Sequence, residues 1–307
     1  MSLIDPDLAA VLDSYRTCEF ATLGSAGTPL TGPTVAQSRP DGTLLVTTST
    51  AFPQRALNVR RDGRVALLFS DPAGSGQPDA PQVFISGKAY CPYEIVTSPT
   101  GLEGYWTRLF ERHPISKRYT ATPLNQVTDW YFMRLLITIE PDSVVIRDPI
   151  TSIAAAPGTG LPDGAAPLGA EILARFPTAV LGALDPAGAP LLMRTTTTPV
   201  EEGFEVRTEK DSDVAAGPAT LLVYPPDQRL SGPYSAVVRG RLSELGAGRW
   251  LLIPDRVTGP SATDSPTDPA LLLLKENQRA ATRYLDRRGL ARPRVPWDEY
   301  RKLAAGA

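Results

Sequence analysis

The sequence predicts a mainly β protein with a few helices, built as two small β-barrels in tandem. Short runs of β-branched residues are separated by turn sequences such as Pro40-Asp41-Gly42 and Asp62-Gly63, which is typical of antiparallel sheets with hairpins. The second half of the chain then repeats the order of these runs. A chain of 307 residues is long enough for two domains, each with its own hydrophobic core.

Four pairs of segments carry the repeat. The first copy contains FATLGSAGTP (20–29), LLVTT (44–48), RVALLF (64–69) and VFISGKA (83–89). The second contains AVLGALDPAGAP (179–190), FEVRT (204–208), ATLLVY (219–224) and AVVRGRL (236–242). The offset between the copies falls from about 160 to about 154 residues after the third predicted strand, so the second copy lacks about six residues there. A duplicated fold with one shortened loop predicts one complete ligand site, or two unequal ones.

Helices are predicted at three places in the first half. Asp5 and Pro6 form a good helix start, and the apolar spacing continues to about Arg16. A short helix is predicted within Ala51–Arg61, and an amphipathic helix within Gly101–His113. The half closes with a long strand from Trp130, a Pro-Asp break and a further strand.

The segment Asp148–Pro167 is rich in Ala, Gly and Pro, which is typical of a linker. We therefore predict a first barrel over 1–148, a linker over 149–167, a degenerate second barrel over 168–260 and a helical extension over 261–307. The second barrel should open with a helix at Leu168–Phe176. The extension should contain helices at about Pro269–Arg288 and Trp297–Leu303, the first with arginines in its last turn.

Composition excludes several classes of function. A net charge of −2 provides no large basic face for nucleic acid or an anionic membrane, and the apolar runs are too short to span a bilayer. Cys18 and Cys91 are expected to be reduced core thiols of a cytoplasmic protein, and no signal peptide is recognised. His113 is the only histidine, so we predict no metal site.

The order of these segments resembles the pyridoxamine 5′-phosphate oxidase-like, FMN-binding split-barrel superfamily, which also includes deazaflavin-dependent reductases and haem-binding members. The match covers Asp5 to about Asp148 well, and Leu168–Gly259 more weakly. In that family the flavin lies in the cleft between the two barrels of a homodimer. The resemblance therefore implies two tandem split β-barrels, a dimer fused into one polypeptide, with pairing of two chains left open.

The resemblance also implies a phosphate grip in the first barrel. The family's strand and following loop correspond here to Thr47, Thr48 and Ser49, followed by Gln54 and Arg55. A phosphate needs several donors and a fixed cation, best placed at a helix N-terminus. Arg55 stands where the family has lysine, and Gln54 where it has arginine. The alternative is that Arg55 is a solvated surface charge.

Two further residues are predicted to contact the cofactor. Gln82 matches a family glutamine that contacts flavin, although it also suits an edge strand. Arg194 either faces a cofactor bound across the interface or lies on a strand rim. In the second copy the grip is replaced by an acidic loop, with Glu209, Asp211 and Asp213 around Lys210, which repels a phosphate. We expect the second barrel to complete one wall of a single site.

No catalytic side chain is identified, which suits a flavoprotein, because the cofactor performs the chemistry. The resemblance implies an FMN-dependent oxidoreductase acting on a small molecule or a nicotinamide cofactor. Residues 30–37 contain no basic residue, which argues against oxidation of pyridoxamine phosphate itself. Substrate choice is predicted to depend on the loops Asp71–Gln82 and Leu102–Gln126. The aromatic side chains of Trp106, Trp130 and Tyr131 either stack on a flavin ring or belong to the core.

Three alternatives remain open. Arginine greatly outnumbers lysine, which fits a high-GC bacterial genome, and bacteria that use deazaflavin often have such genomes, so a deazaflavin cofactor stays open. A haem-binding protein would use His113, whose simpler role is to cap a helix C-terminus. A flavin-binding, stress-associated protein without catalysis is the third.

Overall fold

We describe the protein from a computed structural model that covers residues 3–73, 75–150, 166–209, 212–225, 235–246, 248–259 and 269–306. Within these residues the helices are α1 (Pro6–Ser14), α2 (Gln54–Arg61), α3 (Glu103–Arg112), α4 (Ile115–Arg118), α5 (Asn125–Phe132), α6 (Ala170–Leu173), α7 (Pro269–Asp286) and α8 (Trp297–Gly306).

The strands of the first half are β1 (Cys18–Leu23), β2 (Pro29–Thr34), β3 (Ala36–Ser38), β4 (Leu44–Ser49), β5 (Arg64–Phe69), β6 (Gln82–Tyr90) and β7 (Arg134–Arg147). Those of the second half are β8 (Ala179–Leu184), β9 (Pro190–Thr195), β10 (Thr197–Val200), β11 (Gly203–Arg207), β12 (Ala215–Val223), β13 (Ala236–Gly246) and β14 (Arg249–Thr258).

The two halves have the same sheet topology. The first seven-stranded sheet has the order β2-β1-β5-β6-β7-β4-β3, and the second has the order β9-β8-β12-β13-β14-β11-β10. Each strand of the first sheet therefore has a counterpart at the same place in the second, and the pairings within both sheets are antiparallel. The predicted fold class, two tandem split β-barrels that are mainly β with a few helices, is confirmed.

Both sheets contain the same glycine-proline irregularity. Gly87 on β6 lies opposite Pro141 on β7, and Gly240 on β13 lies opposite Pro254 on β14, with a register shift at each place. A Cβ atom at Gly87 would collide with the carbonyl oxygen of Glu140, and one at Gly240 with that of Ile253. Proline donates no hydrogen bond to the ladder, so the strand bulges there, and the close backbone approach requires glycine.

The prediction of a long strand from Trp130, broken at Pro141, is wrong in two respects. Trp130, Tyr131 and Phe132 belong to α5, and the strand begins at Arg134. It then continues through Pro141 to Arg147, because the bulge opposite the proline accommodates the missing donor. An apolar run that ends a helix and begins a strand shows no change of composition at the boundary.

Five predicted helices form close to their expected limits, namely α1, α2, α3, α7 and α8. The helix expected at Leu168–Phe176 is limited to α6, and α4 was not predicted. Between β11 and β12, the described residues contain no counterpart of α2. Most of the predicted linker, residues 151–165, lies outside the described residues, and the domain limits stay predictions. Cys18 and Cys91 are both buried free thiols.

Each barrel has its own apolar core, a third cluster surrounds α3 and α8, and a fourth lies between the two barrels. It is formed by Ala21, Ala66, Leu68 and Phe84 of the first barrel and by Val180, Leu192, Leu222 and Tyr224 of the second. Thr31 and Thr220 share a hydrogen bond of 3.1 Å between their hydroxyl groups across the same contact. The two barrels therefore pack through the outer faces of their sheets.

The C-terminal helices pack back on the first barrel. Tyr284 and Leu285 of α7 join its core, and Tyr300 of α8 packs against Trp106 with ring centroids 4.7 Å apart. Arg292 forms two hydrogen bonds, of 2.5 and 2.7 Å, with the carboxylate of Asp129 on α5. The extension thereby supports α3 and α5 from behind. No helix in the described part of the chain is both long and apolar enough to cross a membrane.

The glycine-proline bulge provides a test of the fold. We expect Gly240→Ala to lower the free energy of unfolding by about 1–3 kcal/mol, because the added methyl group has no space beside the Ile253 carbonyl. Urea denaturation measures the change. Gly306→Ala is the matched control, since a Cβ there meets no atom within 4 Å. Equal stability of the two variants would contradict the assigned register.

Candidate functional site

A cavity of about 540 Å³ lies between the first barrel, helices α3 and α5, and the second barrel. Its walls combine aliphatic, aromatic, hydroxyl, amide and basic side chains, and no carboxylate belongs to the described lining. The residues that line it are Thr17, Pro33, Thr34, Val35, Thr47, Thr48, Ser49, Phe52, Gln54, Arg55, Tyr105, Leu109, His113, Trp130, Tyr131, Arg134, Tyr224, Pro225 and Ser235.

The structure brings together the five residues that were predicted to grip a phosphate. Thr47, Thr48 and Ser49 end strand β4, and Gln54 and Arg55 begin α2. The first N–H groups of a helix have no partner within it, and α2 has no side-chain cap, so these donors are available at the cavity. Their use by a cofactor stays a prediction.

The hydroxyl groups of the cavity differ in whether they already form hydrogen bonds within the protein. Thr47 shares a hydrogen bond of 3.0 Å with the Tyr105 hydroxyl, and Thr48 donates to the carbonyl of Phe52 at 2.6 Å. The buried hydroxyls of Ser49 and Thr17 have no hydrogen-bond partner among the described residues. Ser49 and Thr17 are therefore the groups with unused capacity for a ligand.

Arg55 is fixed at the cavity by its surroundings. Its Nη2 donates to the carbonyl of Pro33 at 2.9 Å, and a Cβ at Gly32 would lie 2.5 Å from that nitrogen. Burial lowers the pKa of the Arg55 guanidinium from its usual value, although arginine stays charged at neutral pH. Gln54 instead donates to Asn58 at 2.8 Å. Arg55 is thus a partly buried cation that forms no ion pair with a described carboxylate.

Arg134 is a second cation of this cavity, and the sequence reasoning missed it. Its backbone exchanges two hydrogen bonds of 2.8 Å with Val96, and it pairs with Ser49 across the β4–β7 ladder. The side chain is 7% exposed, and its Nε has no hydrogen-bond partner in the described structure. The sequence does contain one sign of this residue, a single arginine at the start of the apolar run LLITI. Charged side chains are rarely buried without a partner, so an arginine there indicates a specific role.

The aromatic residues form both the wall and its support. Trp130 and Tyr131 line the cavity, and Phe52 packs edge-on against Trp130 with ring centroids 6.0 Å apart. Trp106 lies behind them in the core, stacked on Phe132 at 5.3 Å. His113 is the C-cap residue of α3, as the simpler interpretation expected, and it also lines the cavity.

The second barrel contributes one wall through Tyr224, Pro225 and Ser235. The Tyr224 hydroxyl donates to Glu19 at 2.5 Å. Burial, and then the neighbouring Glu19 carboxylate, raise the pKa of Tyr224 well above its usual value. This tyrosine therefore remains a neutral donor.

Gln82 and Arg194 are not brought to this cavity. By topology, Gln82 is the counterpart of Ser235, and Arg194 is the counterpart of Pro33. Both residues therefore lie at a second position between the barrels, which corresponds to the cavity when the two barrels are exchanged. Gln82 donates to the carbonyl of Asp148 at 2.8 Å, and Arg194 is bonded to Glu19 and Ser70. The sequence reasoning combined residues from two related positions, because a repeat does not reveal which copies face each other.

The related position is occupied by internal ion pairs. Arg194 contacts Glu19 at 2.8 Å, and its Nε and Nη2 donate to the hydroxyl of Ser70 at 3.1 and 2.7 Å. Glu209, the counterpart of Ser49, pairs with Arg147 at 3.4 Å. The acidic residue predicted to repel phosphate thus replaces a hydroxyl of the grip. Lys210 and Asp211 lie outside the described residues.

No protein-family model matches the sequence, and no curated protein matches it. Among solved structures, the chain is similar to Atu2129, a protein of unknown function from Agrobacterium tumefaciens, with 24% identity over 48% of this chain and a TM-score of 0.32. The chain spans 61% of the length of that protein.

A predicted pyridoxamine 5′-phosphate oxidase from Listeria innocua is 18% identical over 46% of this chain and 94% of its own, with a TM-score of 0.30. An F420 reductase is 21% identical over 44% of this chain and 94% of its own, with a TM-score of 0.32. Each of these matches is a similarity of fold over about half of this chain.

The buried ion pair between the barrels provides a test. We expect Glu19→Gln to lower the free energy of unfolding by about 3–5 kcal/mol, because it leaves the Arg194 charge buried without a counter-charge. The double variant Glu19→Leu with Arg194→Met removes both charges and should lose much less. Urea denaturation compares the variants. A double variant that is less stable than the single one would contradict this account.

Proposed function

We propose that the chain binds FMN in the cavity between its barrels and acts as a flavin-dependent oxidoreductase on a small molecule or a nicotinamide cofactor. The observation that carries this proposal is the charge of the cavity. The guanidinium of Arg55 lines it beside the N-terminus of α2, while the described lining includes no carboxylate. Cations taken out of water require a compensating anion, so the cavity suits an anionic ligand.

The polar groups fit the phosphate end of such a ligand. The unpartnered Ser49 hydroxyl, the N-terminus of α2 and the cation of Arg55 meet at the end of β4. A dianionic phosphate accepts several hydrogen bonds and is favoured at the positive end of a helix dipole. We assign the phosphate to these groups, with Thr47 and Thr48 holding the loop around them.

The aromatic groups fit a planar ring system. Phe52 and Trp130 lie on one side of the cavity, and Tyr224 closes it from the second barrel. Offset or edge-on contacts with aromatic rings stabilise a flat apolar ligand. When bound, the flavin supplies hydride and electron transfer, and the residues of this chain bind it, orient it and exclude water from it.

Because the related position is occupied by ion pairs, we propose one cofactor per chain. A haem-binding protein is the second candidate, and the observation that favours it is the presence of His113 in the lining. Deazaflavin remains a third ligand of the same cavity, since it also has a phosphate and a planar ring.

Absorption spectra of the purified protein separate these cofactors. We expect bands near roughly 370 and 450 nm for bound flavin, because the isoalloxazine ring absorbs there. A single band near about 420 nm would indicate deazaflavin, and a Soret band would indicate haem. A colourless protein that takes up none of these cofactors on titration would contradict the proposal.

The phosphate assignment is tested at Arg55. We expect Arg55→Ala to weaken FMN binding by about 1.5–3 kcal/mol, since it removes a charged hydrogen-bond donor. Riboflavin, which lacks the phosphate, should bind both proteins alike. Fluorescence titration of the free flavins measures both constants. Arg207→Ala is the matched control, because Arg207 is 68% exposed and lies outside the cavity lining. Unchanged FMN affinity in Arg55→Ala would remove Arg55 from the site.

A further inference from the structure

Arg134 has a different environment from Arg55, although both line the same cavity. Its guanidinium carbon lies over the ring of Tyr131 at 4.4 Å and over that of Trp106 at 5.0 Å. Its backbone is fixed on one side by Val96 and on the other by Ser49. The side chain is thus held at the cavity wall by two aromatic rings.

The charge of Arg134 has no counter-ion in the described structure. No ion pair includes it among the described residues, and its Nε is buried without an acceptor. The Ser49 hydroxyl beside it is likewise unpartnered. A charge that is 93% removed from solvent is costly unless it is paired, so the arrangement calls for an anionic group from outside the chain.

The elements that hold Arg134 are found only in the first half of the described chain. The rings of Trp106 and Tyr131 come from α3 and α5, and α8 supports them through Tyr300. Among the described residues of the second barrel, neither α3 nor α5 has a counterpart. The phosphate grip, in contrast, is built on β4 and α2, where Arg55 already supplies a cation. The residues that hold Arg134 in place are thus not those that build the phosphate grip, although Arg134 borders that grip at Ser49.

We propose that Arg134 binds the carboxylate group of the substrate. This inference rests on the proposed flavin site for its biological meaning. The centroids of the two rings lie only 6.3 Å apart, so the rings do not enclose the guanidinium, and its edge with the unpartnered Nε remains for hydrogen bonds. Two parallel N–H groups on that edge match the two oxygens of a planar carboxylate. The substrate class is a small molecule with a carboxylate beside an apolar or aromatic body, which Tyr131 and Trp130 would contact.

Sodium benzoate and benzamide are suitable probes, because they have nearly the same shape and differ in charge. We expect the purified protein to bind benzoate about ten-fold or more tightly than benzamide, measured by calorimetry and by tryptophan fluorescence. Two of the four tryptophans are placed to respond, because Trp106 packs on Arg134 and Trp130 lines the cavity. The measurement is made on the protein as purified and again after addition of FMN.

Two variants show which arginine is responsible for the preference for benzoate. Arg134→Met keeps the length of the side chain and should abolish the preference, while FMN affinity changes less than about three-fold. Arg55→Met is the matched control at the same cavity, and it should weaken FMN while the benzoate preference remains. Absence of the preference in the unmodified protein would overturn the proposal without any variant. Loss of the preference in Arg55→Met alone would also overturn it.

The same experiments separate this proposal from the cofactor proposal. If Arg134→Met weakens FMN ten-fold or more and leaves the preference unchanged, Arg134 is a cofactor ligand and the carboxylate site is refuted. If the protein binds no FMN but prefers benzoate through Arg134, the carboxylate site stands and the flavin function fails.

Discussion

The carboxylate of Glu19 is the point at which the two barrels are tied together. It belongs to the first barrel, and it accepts hydrogen bonds from Arg194 and Tyr224 of the second and from Ser70 of its own. Glu19 is fully buried, so this network must be complete for the two sheets to pack. Because Tyr224 also lines the cavity, the same carboxylate fixes one wall of the site. The contact between the barrels and the shape of the cavity therefore depend on one another.

Local sequence patterns predicted the fold and part of the site, because these depend on residues close together in the chain. The hydroxyl run Thr47–Ser49 and the residues Gln54 and Arg55 lie on consecutive elements, and the structure brings them to one cavity. Tyr224 could not be found in this way, since it reaches the cavity from the second barrel. Arg134 is marked by its place before the apolar run LLITI, but no neighbouring residue in the sequence assigns it to this cavity. For Gln82 and Arg194, the repeat identified suitable positions but not the barrel that each would face.

The two halves of the chain have different roles because the helices that shape the cavity belong to the first half and to the C-terminal extension. Trp130 and Tyr131 shape the cavity from α5, while the C-terminal extension holds that helix through the contact of Arg292 with Asp129. The described second barrel has no such layer, and at the counterpart of Ser49 it has Glu209. One barrel thus carries the candidate site, and the other supplies a wall and the partner charge that the first requires.

The two barrels contribute opposite charges to their contact, so they are not interchangeable there. On β1 and β2, Glu19 lies opposite Pro33, whereas on β8 and β9, Val180 lies opposite Arg194. Two copies of the first barrel would bury two carboxylates without a cation, and two copies of the second would bury two arginines without an acid. Only a first barrel with a second barrel satisfies both charges. The single buried pair of Glu19 with Arg194 thus makes each half of the chain selective for the other.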